Sequence, residues 1–417
     1  MQEGQLFTRQ FDNGLVLLGE SMPWLSTAAF SILLPAGAAF DPLGQSGLAT
    51  MTCEVAERGC GSLDSRSFLE AVEMLGASTN NSVSTYHTSY GGSCLSEKLP
   101  ELLRLYGDLT RRPKLPKAEF SPSKKVCLQE LFAQQDDLSQ MTLRVLRKQY
   151  FGDTLGRWAD GELDELEKLN YQDVVDFYKK HYNPRDMILS VAGNFDWDQL
   201  VQQVEAIWGD WEAGAEEKLT YALGATDYQH IPQDSQQTHI AFASPTIPFG
   251  TDDYFLIRCA VGVLGDGMSS RLFQEVREKR GLCYTVFAGI HSLKDSACIT
   301  AYAGTTSARA QETLDTMFTE FQRMRDGVTE EELHRLKIQI RTGLMAQQES
   351  CRSRAAAIAG DWFYLHRVRS QDEINDLLNG LSVQRVNQFL ADNPIEITTA
   401  VTVGPEALEM PHGVAHS

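Results

Sequence analysis

The run Leu264-Gly-Asp-Gly-Met-Ser-Ser-Arg-Leu-Phe-Gln-Glu-Val-Arg-Glu-Lys-Arg-Gly-Leu-Cys-Tyr-Thr-Val-Phe-Ala288 decides how the chain is read. A glycine-rich loop, Gly265-Asp266-Gly267, opens it, and Ser269 and Ser270 are good N-caps for a helix that follows. Leu272, Phe273 and Val276 give that helix one apolar face. Arg277, Lys279 and Arg280 crowd its last turn, where cations suit the negative end of the helix dipole, and Gly281 supplies a natural stop. Cys283–Phe287 reads as a strand. A tight turn would then bring Arg277, leaving a helix, beside Tyr284, starting a strand. Spacing alone leaves two readings open: a solvated arginine and an ordinary strand tyrosine, or a pair of functional groups.

Outward from this run, size and composition narrow the field. A chain of 417 residues suits two domains of about 200 residues. Its 42% hydrophobic and 22% charged residues are those of a soluble globular protein. A formal charge of -19 argues against nucleic acid and against an anionic membrane surface. No apolar run reaches the roughly 20 residues of a membrane span. The opening residues show neither a basic n-region nor an apolar h-region, so the expectation is a cytoplasmic chain, or a periplasmic one if a leader has been removed. Eight scattered cysteines with no C-x-x-C pair read as reduced thiols.

Along the chain, Asp12-Asn13-Gly14 signals a hairpin within Leu6–Glu20. Thr27–Pro35 reads as a buried strand, Ser46–Arg58 as a helix, and Met74–Leu95 as two strands. Helices are expected over Leu99–Thr110, Lys117–Gln149 (one long element), Asp173–His181 and Trp197–Trp208, with a strand over Met187–Asn194. Residues 213–237 lack periodicity and read as a linker between an N-terminal domain, 1–212, and a C-terminal one, 238–417. The order then repeats. Thr27-Ala-Ala-Phe-Ser resembles Thr238-His-Ile-Ala-Phe-Ala-Ser at an offset of 211, and the surroundings of Tyr90 resemble those of Tyr302 at an offset of 212. The helix starting at Lys117 matches the one starting at Glu330. Anchors at nearly one offset argue for a duplication. Each half mixes a sheet with helices, an α+β architecture of two similar domains.

The opening run resembles the C-terminal-domain signature of the insulinase/pitrilysin family of zinc metallopeptidases, the inverted zincins. In that family an arginine and a tyrosine stand seven residues apart, as Arg277 and Tyr284 do here. The resemblance implies that the two reach across a chamber to a peptide bound at a zinc site. There a guanidinium and a phenol can donate hydrogen bonds to the peptide and to the oxyanion of a tetrahedral intermediate.

The same family carries its zinc on H-x-x-E-H, with a distal glutamate about 76 residues later. Two histidines at i and i+4 share a helix face and the glutamate between them is the general base. The frame of that motif is present in Gly47-Leu48-Ala49 and Gly59, but its chemistry is not: Thr50 stands at the first histidine, Cys53 at the base and Glu54 at the second histidine. Glu130 keeps the distal position, 76 residues after Glu54. Cys53, Glu54 and Glu130 are three anionic ligands in principle, but Thr50 is a poor fourth and no base remains. His412 and His416 share i,i+4 spacing in a Pro/Gly-containing tail expected to be disordered, and His87 reads as structural. Gly265-x-Gly267 is neither a Walker loop nor a dinucleotide fingerprint.

The resemblance therefore implies a subunit with no cofactor of its own, inactive alone, whose Arg277 and Tyr284 complete the peptide-hydrolysis site of a zinc-bearing partner of the same family. The alternative is a non-catalytic structural or peptide-binding homodimer of the same fold.

Overall fold

The computed structural model describes residues 4–411, so His412 and His416 lie outside the described residues. The hairpin signalled at Asp12-Asn13-Gly14 forms β1 (Gln5–Gln10) and β2 (Val16–Ser21), paired from Gln10↔Val16 outward. Then follow β3 (Thr27–Leu34), a two-residue ribbon of β4 (Gly59–Cys60) and β5 (Leu63–Asp64), β6 (Ser78–Val83), β7 (Thr88–Leu95) and β8 (Ile188–Gly193). The first main sheet runs β1-β2-β8-β3-β7-β6. Later come β9 (Tyr228–Pro232), β10 (Gln237–Thr246), β11 (Cys283–Ser292), β12 (Ala297–Thr306) and β13 (Thr399–Gly404), in a sheet ordered β11-β12-β10-β13-β9.

The duplication is visible strand by strand. β2 pairs parallel with β8, β8 antiparallel with β3, β3 with β7 and β7 with β6. β9 pairs parallel with β13, β13 antiparallel with β10, β10 with β12 and β12 with β11. The two halves thus share one strand topology, with β1 the addition in the first. β9 lies in the expected linker. The rest of that stretch, from Trp211 to Asp227, carries no helix or strand.

Compact units follow contacts rather than the continuous division at 212 and 238. Among the described residues, one consists of 4–133, 157–221 and 345–369; the other of 134–156, 222–344 and 370–411. Each half of the chain therefore lends one helix to the unit built by the other half. In the first unit, Phe30 and Ile32 of β3 face a core of Leu102, Leu103, Val174 and Trp208. Ala29 and Leu33, on the opposite face by strand alternation, meet Cys351, Ala355 and Ile358 of the helix Cys351–Leu365. With both faces covered, β8 is buried at all six residues. In the second unit, Ile240, Phe242, Ile299 and Ala400 face a core with Leu256, Leu314 and Leu390. The helix Leu138–Leu155 packs on β10 and β13, and its Tyr150 hydroxyl donates to the Ala297 carbonyl at 3.2 Å.

The single helix expected over Lys117–Gln149 is two helices, Lys117–Gln135 and Leu138–Leu155. Asp137 ends the continuity: its side chain accepts from the backbone N–H of Ser139 at 2.9 Å and of Gln140 at 3.1 Å, the geometry of an N-cap. A further helix, Ser65–Met74, is capped by Asp64, whose side chain accepts from Ser67 N–H at 2.8 Å.

Candidate functional site

Two sets of residues were singled out by the sequence, one in each unit. The first lies on the helix Leu48–Ala56, whose N-terminus is closed by Asp41. The Asp41 carboxylate accepts from the backbone N–H of Gly47 and of Ala49, each at 2.8 Å. Thr50 donates its hydroxyl proton to the Ala159 carbonyl at 2.6 Å. Cys53 is 4% exposed, and burial, with Glu57 beside it, pushes its thiol far above the ordinary range. Glu54 is paired with Arg58 one turn on. Glu130 does come back to this place: its partial burial and the nearby carboxylates of Glu54 and Asp160 push its carboxyl upward. Burial also pushes the Cys127 thiol up to about 12, with Glu54, Glu130 and Asp160 around it.

This set does not fit the zinc ion its position implies. A zinc site needs unprotonated donors converging on one point. Here the hydroxyl is spent on a backbone carbonyl, the thiol is buried, and one carboxylate is paired with an arginine. Among the described residues, no group of three His, Cys, Asp or Glu side chains could hold a metal ion. Asp160 and Glu57, which crowd these carboxylates, were not singled out by the sequence; Glu57 is one helical turn past Cys53 and Glu54, and only the fold brings Asp160 near.

The second set is the opening run itself. Gly265 ends the helix Tyr254–Gly265 at a place where a Cβ would stand 2.2 Å from the Ala288 backbone nitrogen, so glycine lets this helix end close on β11. Ser270 then caps as expected, its hydroxyl accepting from Phe273 N–H at 3.4 Å and donating to Gly267 O at 2.8 Å. The helix it starts is short and wide: Phe273–Glu278 is a π-helix, closed by Lys279 N–H donating to Gln274 O at 2.9 Å. Leu272 and Val276 are its buried face. Gly281, at φ +58°, makes the left-handed stop.

The three cations of the last turn are sorted by Glu275. Its carboxylate takes Lys279 at 2.6 Å and Arg280 at 2.8 Å, which holds its own titration below the usual range. Arg277 is left over. Its guanidinium lies 4.7 Å from the centre of the Phe273 ring, and its Nε is 3.7 Å from Glu278, beyond hydrogen-bond length. Tyr284 follows at a β-bulge between Cys283 and Thr285 on β11, an edge strand, and is 85% exposed. Neither the Arg277 guanidinium nor the Tyr284 hydroxyl has a hydrogen bond among the described residues. By contrast Arg271, in the same run, is fully engaged by Glu332 through two bonds of 2.8 and 2.9 Å. The expected helix, stop and strand are therefore in place, while the sorting of charges by Glu275 and the ring under Arg277 were not legible. Phe273 and Arg277 at i,i+4 were the available signal.

Comparison with known proteins bears on the family and the fold. A model described as insulinase (peptidase family M16) matches residues 16–158, and one described as the peptidase M16 inactive domain matches residues 168–340. An uncharacterized zinc protease of Rickettsia bellii is 25% identical over 402 residues, 95% of this chain and 97% of that protein. One of Bacillus subtilis is 26% identical over 378 residues, 90% of this chain and 92% of that protein. Among solved structures, a peptidase M16 inactive domain from Pseudomonas fluorescens has the same fold, with a TM-score of 0.87, 21% identity, and coverage of 98% of this chain and 100% of that one. Two family models in tandem, over two units of one strand topology, make this chain a member of the insulinase, or M16, peptidase family.

Proposed function

We propose that this chain is an M16 subunit that does not hydrolyse peptides alone and supplies Arg277 and Tyr284 to the site of a zinc-bearing partner of the same family. One contrast carries the reading. Thr50 and Glu54 are spent on structural partners and Cys53 is buried, while the guanidinium of Arg277 and the hydroxyl of Tyr284 are left with hydrogens to donate. A zinc ion held by the partner would supply the Lewis-acid and water-activating chemistry. Arg277 would donate to a substrate carbonyl and Tyr284 to the developing oxyanion. No nucleic acid or membrane partner is invoked, and no described helix is long and apolar enough to cross a membrane.

The test is reconstitution. The chain alone, an H-x-x-E-H family chain sought in the same genome, and the two co-expressed are each assayed for bound zinc and for chelator-sensitive cleavage of a quenched fluorogenic peptide library. The reading expects zinc and activity to require the partner, and activity to rise when both chains are present. Stoichiometric zinc in this chain alone, or a partner equally active without it, overturns the reading. A stable homodimer that neither binds the zinc-bearing chain nor alters its cleavage favours the structural alternative.

A further inference from the structure

The proposal above leaves open what aims Arg277. A side chain of this length on a half-exposed turn loses much rotamer freedom when it must meet a substrate in one orientation. Three observations bear on how that cost is lowered. The π-helix Phe273–Glu278 widens the turn on which Arg277 sits, a feature that is rare in proteins and recurs at functional sites. Phe273 and Arg277 lie on that one turn, and the ring centre is 4.7 Å from the guanidinium carbon. Of the two nearby carboxylates, Glu275 is saturated by Lys279 and Arg280 at 2.6 and 2.8 Å, and Glu278 stands 3.7 Å from the Arg277 Nε, an ion pair without a hydrogen bond. A ring face holds a planar guanidinium without consuming its N–H donors, which a carboxylate would consume.

We infer that Phe273 is a positioning residue for the reaction: it touches no substrate, and holds the Arg277 guanidinium oriented with its donors free. The inference rests on the functional reading above. It differs from a packing role in one respect. A packing role needs only apolar volume at position 273, whereas a positioning role needs an aromatic face.

Two variants separate these. Phe273→Met keeps an unbranched apolar side chain that fills gaps readily, and Phe273→Tyr keeps the ring. In the isolated chain, the Nε–H resonance of Arg277, assigned in ¹⁵N spectra by its loss in Arg277→Ala, is expected to carry a ring-current shift. That shift should vanish in Phe273→Met and persist in Phe273→Tyr. In the complex with the zinc-bearing chain, Phe273→Met should raise KM for the fluorogenic peptide about two- to five-fold with kcat nearly unchanged, the scale of an exposed cation–π contact. Phe273→Tyr should restore wild-type KM. Absence of the ring-current shift, or equal losses in both variants, overturns the inference. If Arg277→Ala costs activity while Phe273→Met costs none, this inference alone falls. If Arg277→Ala leaves cleavage unchanged, the functional reading itself falls.

Discussion

Glu20 and Arg354, 334 residues apart in the chain, form a buried ion pair in which the Arg354 Nη2 stands 2.7 Å and its Nε 2.8 Å from the same carboxylate oxygen. Glu20 is 6% exposed and Arg354 4%. Glu20 lies on β2, laid down at the start of the chain, and Arg354 on the helix that the C-terminal half contributes to the same unit. Removing one partner strands a buried charge, at a typical cost of about 3–5 kcal/mol, while replacing both by apolar residues of similar volume is often neutral. Arg354→Met should therefore lower the stability of the first unit by about 3–5 kcal/mol, and Glu20→Leu/Arg354→Met should recover most of it. Urea unfolding followed by tryptophan fluorescence and circular dichroism measures both. A double variant as weak as the single one would show that the pair fixes the helix in a way apolar packing cannot replace.

The exchanged helices make a second prediction, about cleavage. Proteolysis should cut first between residues 212 and 227, which carry no helix or strand. The two fragments should then stay together under native conditions. The helix Leu138–Leu155 of the N-terminal fragment is packed in the second unit, and Cys351–Leu365 of the C-terminal fragment in the first. Co-elution of the nicked fragments in size exclusion, with separation only in denaturant, is the expected result. Fragments that part after nicking would count against the exchange.

In the complex with the zinc-bearing chain, Tyr284→Phe should leave folding and association intact, because the side chain is 85% exposed and bonded to nothing described. Its effect should fall on kcat, lowered about 10²–10³-fold if the hydroxyl meets the oxyanion. Arg277→Ala should raise KM as well, through loss of a charge-assisted hydrogen bond to the peptide. Steady-state kinetics of the pair reads both. Full activity in each variant would make the two residues structural.

A pH dependence follows from His291 on β11. Burial, and secondarily the charge of Arg147, lowers its titration from 6.5 to about 4. Its ring packs edge-on to Phe151, 5.3 Å between centres. The folded chain thus keeps this imidazole neutral where the unfolded chain protonates it. Its contribution to stability is whole above pH 6.5 and is lost as pH falls toward 4, about 2 kcal/mol of loss between pH 7 and pH 5. His181, which burial lowers to about 4 as well, acts in the same direction, so the slope must be compared with that of His291→Phe. The variant should lose about 2 kcal/mol less than wild type across that interval. Parallel slopes would show that His291 does not titrate between the two states.

The sequence by itself determined whatever is written in local pattern. Asp12-Asn13-Gly14 specified its hairpin, Ser270 and Gly281 bounded the helix before Tyr284, and the recurrence at 211–212 residues laid out two units of one strand topology. The degeneracy of the zinc motif was equally plain, since Thr50, Cys53 and Glu54 are chemistry that can be read without coordinates. Tertiary structure alone decided the rest. Helical periodicity does not say which sheet will bury a face, so the exchange of Leu138–Leu155 and Cys351–Leu365 became visible only through packing and through the distant pairing of Glu20 with Arg354. β9 was lost in an aperiodic stretch because its pairing partner, β13, lies far along the chain. Competition among neighbouring charges is three-dimensional too: that Glu275 takes Lys279 and Arg280, leaving Arg277 over the ring of Phe273, depends on a wide helical turn that no spacing rule encodes.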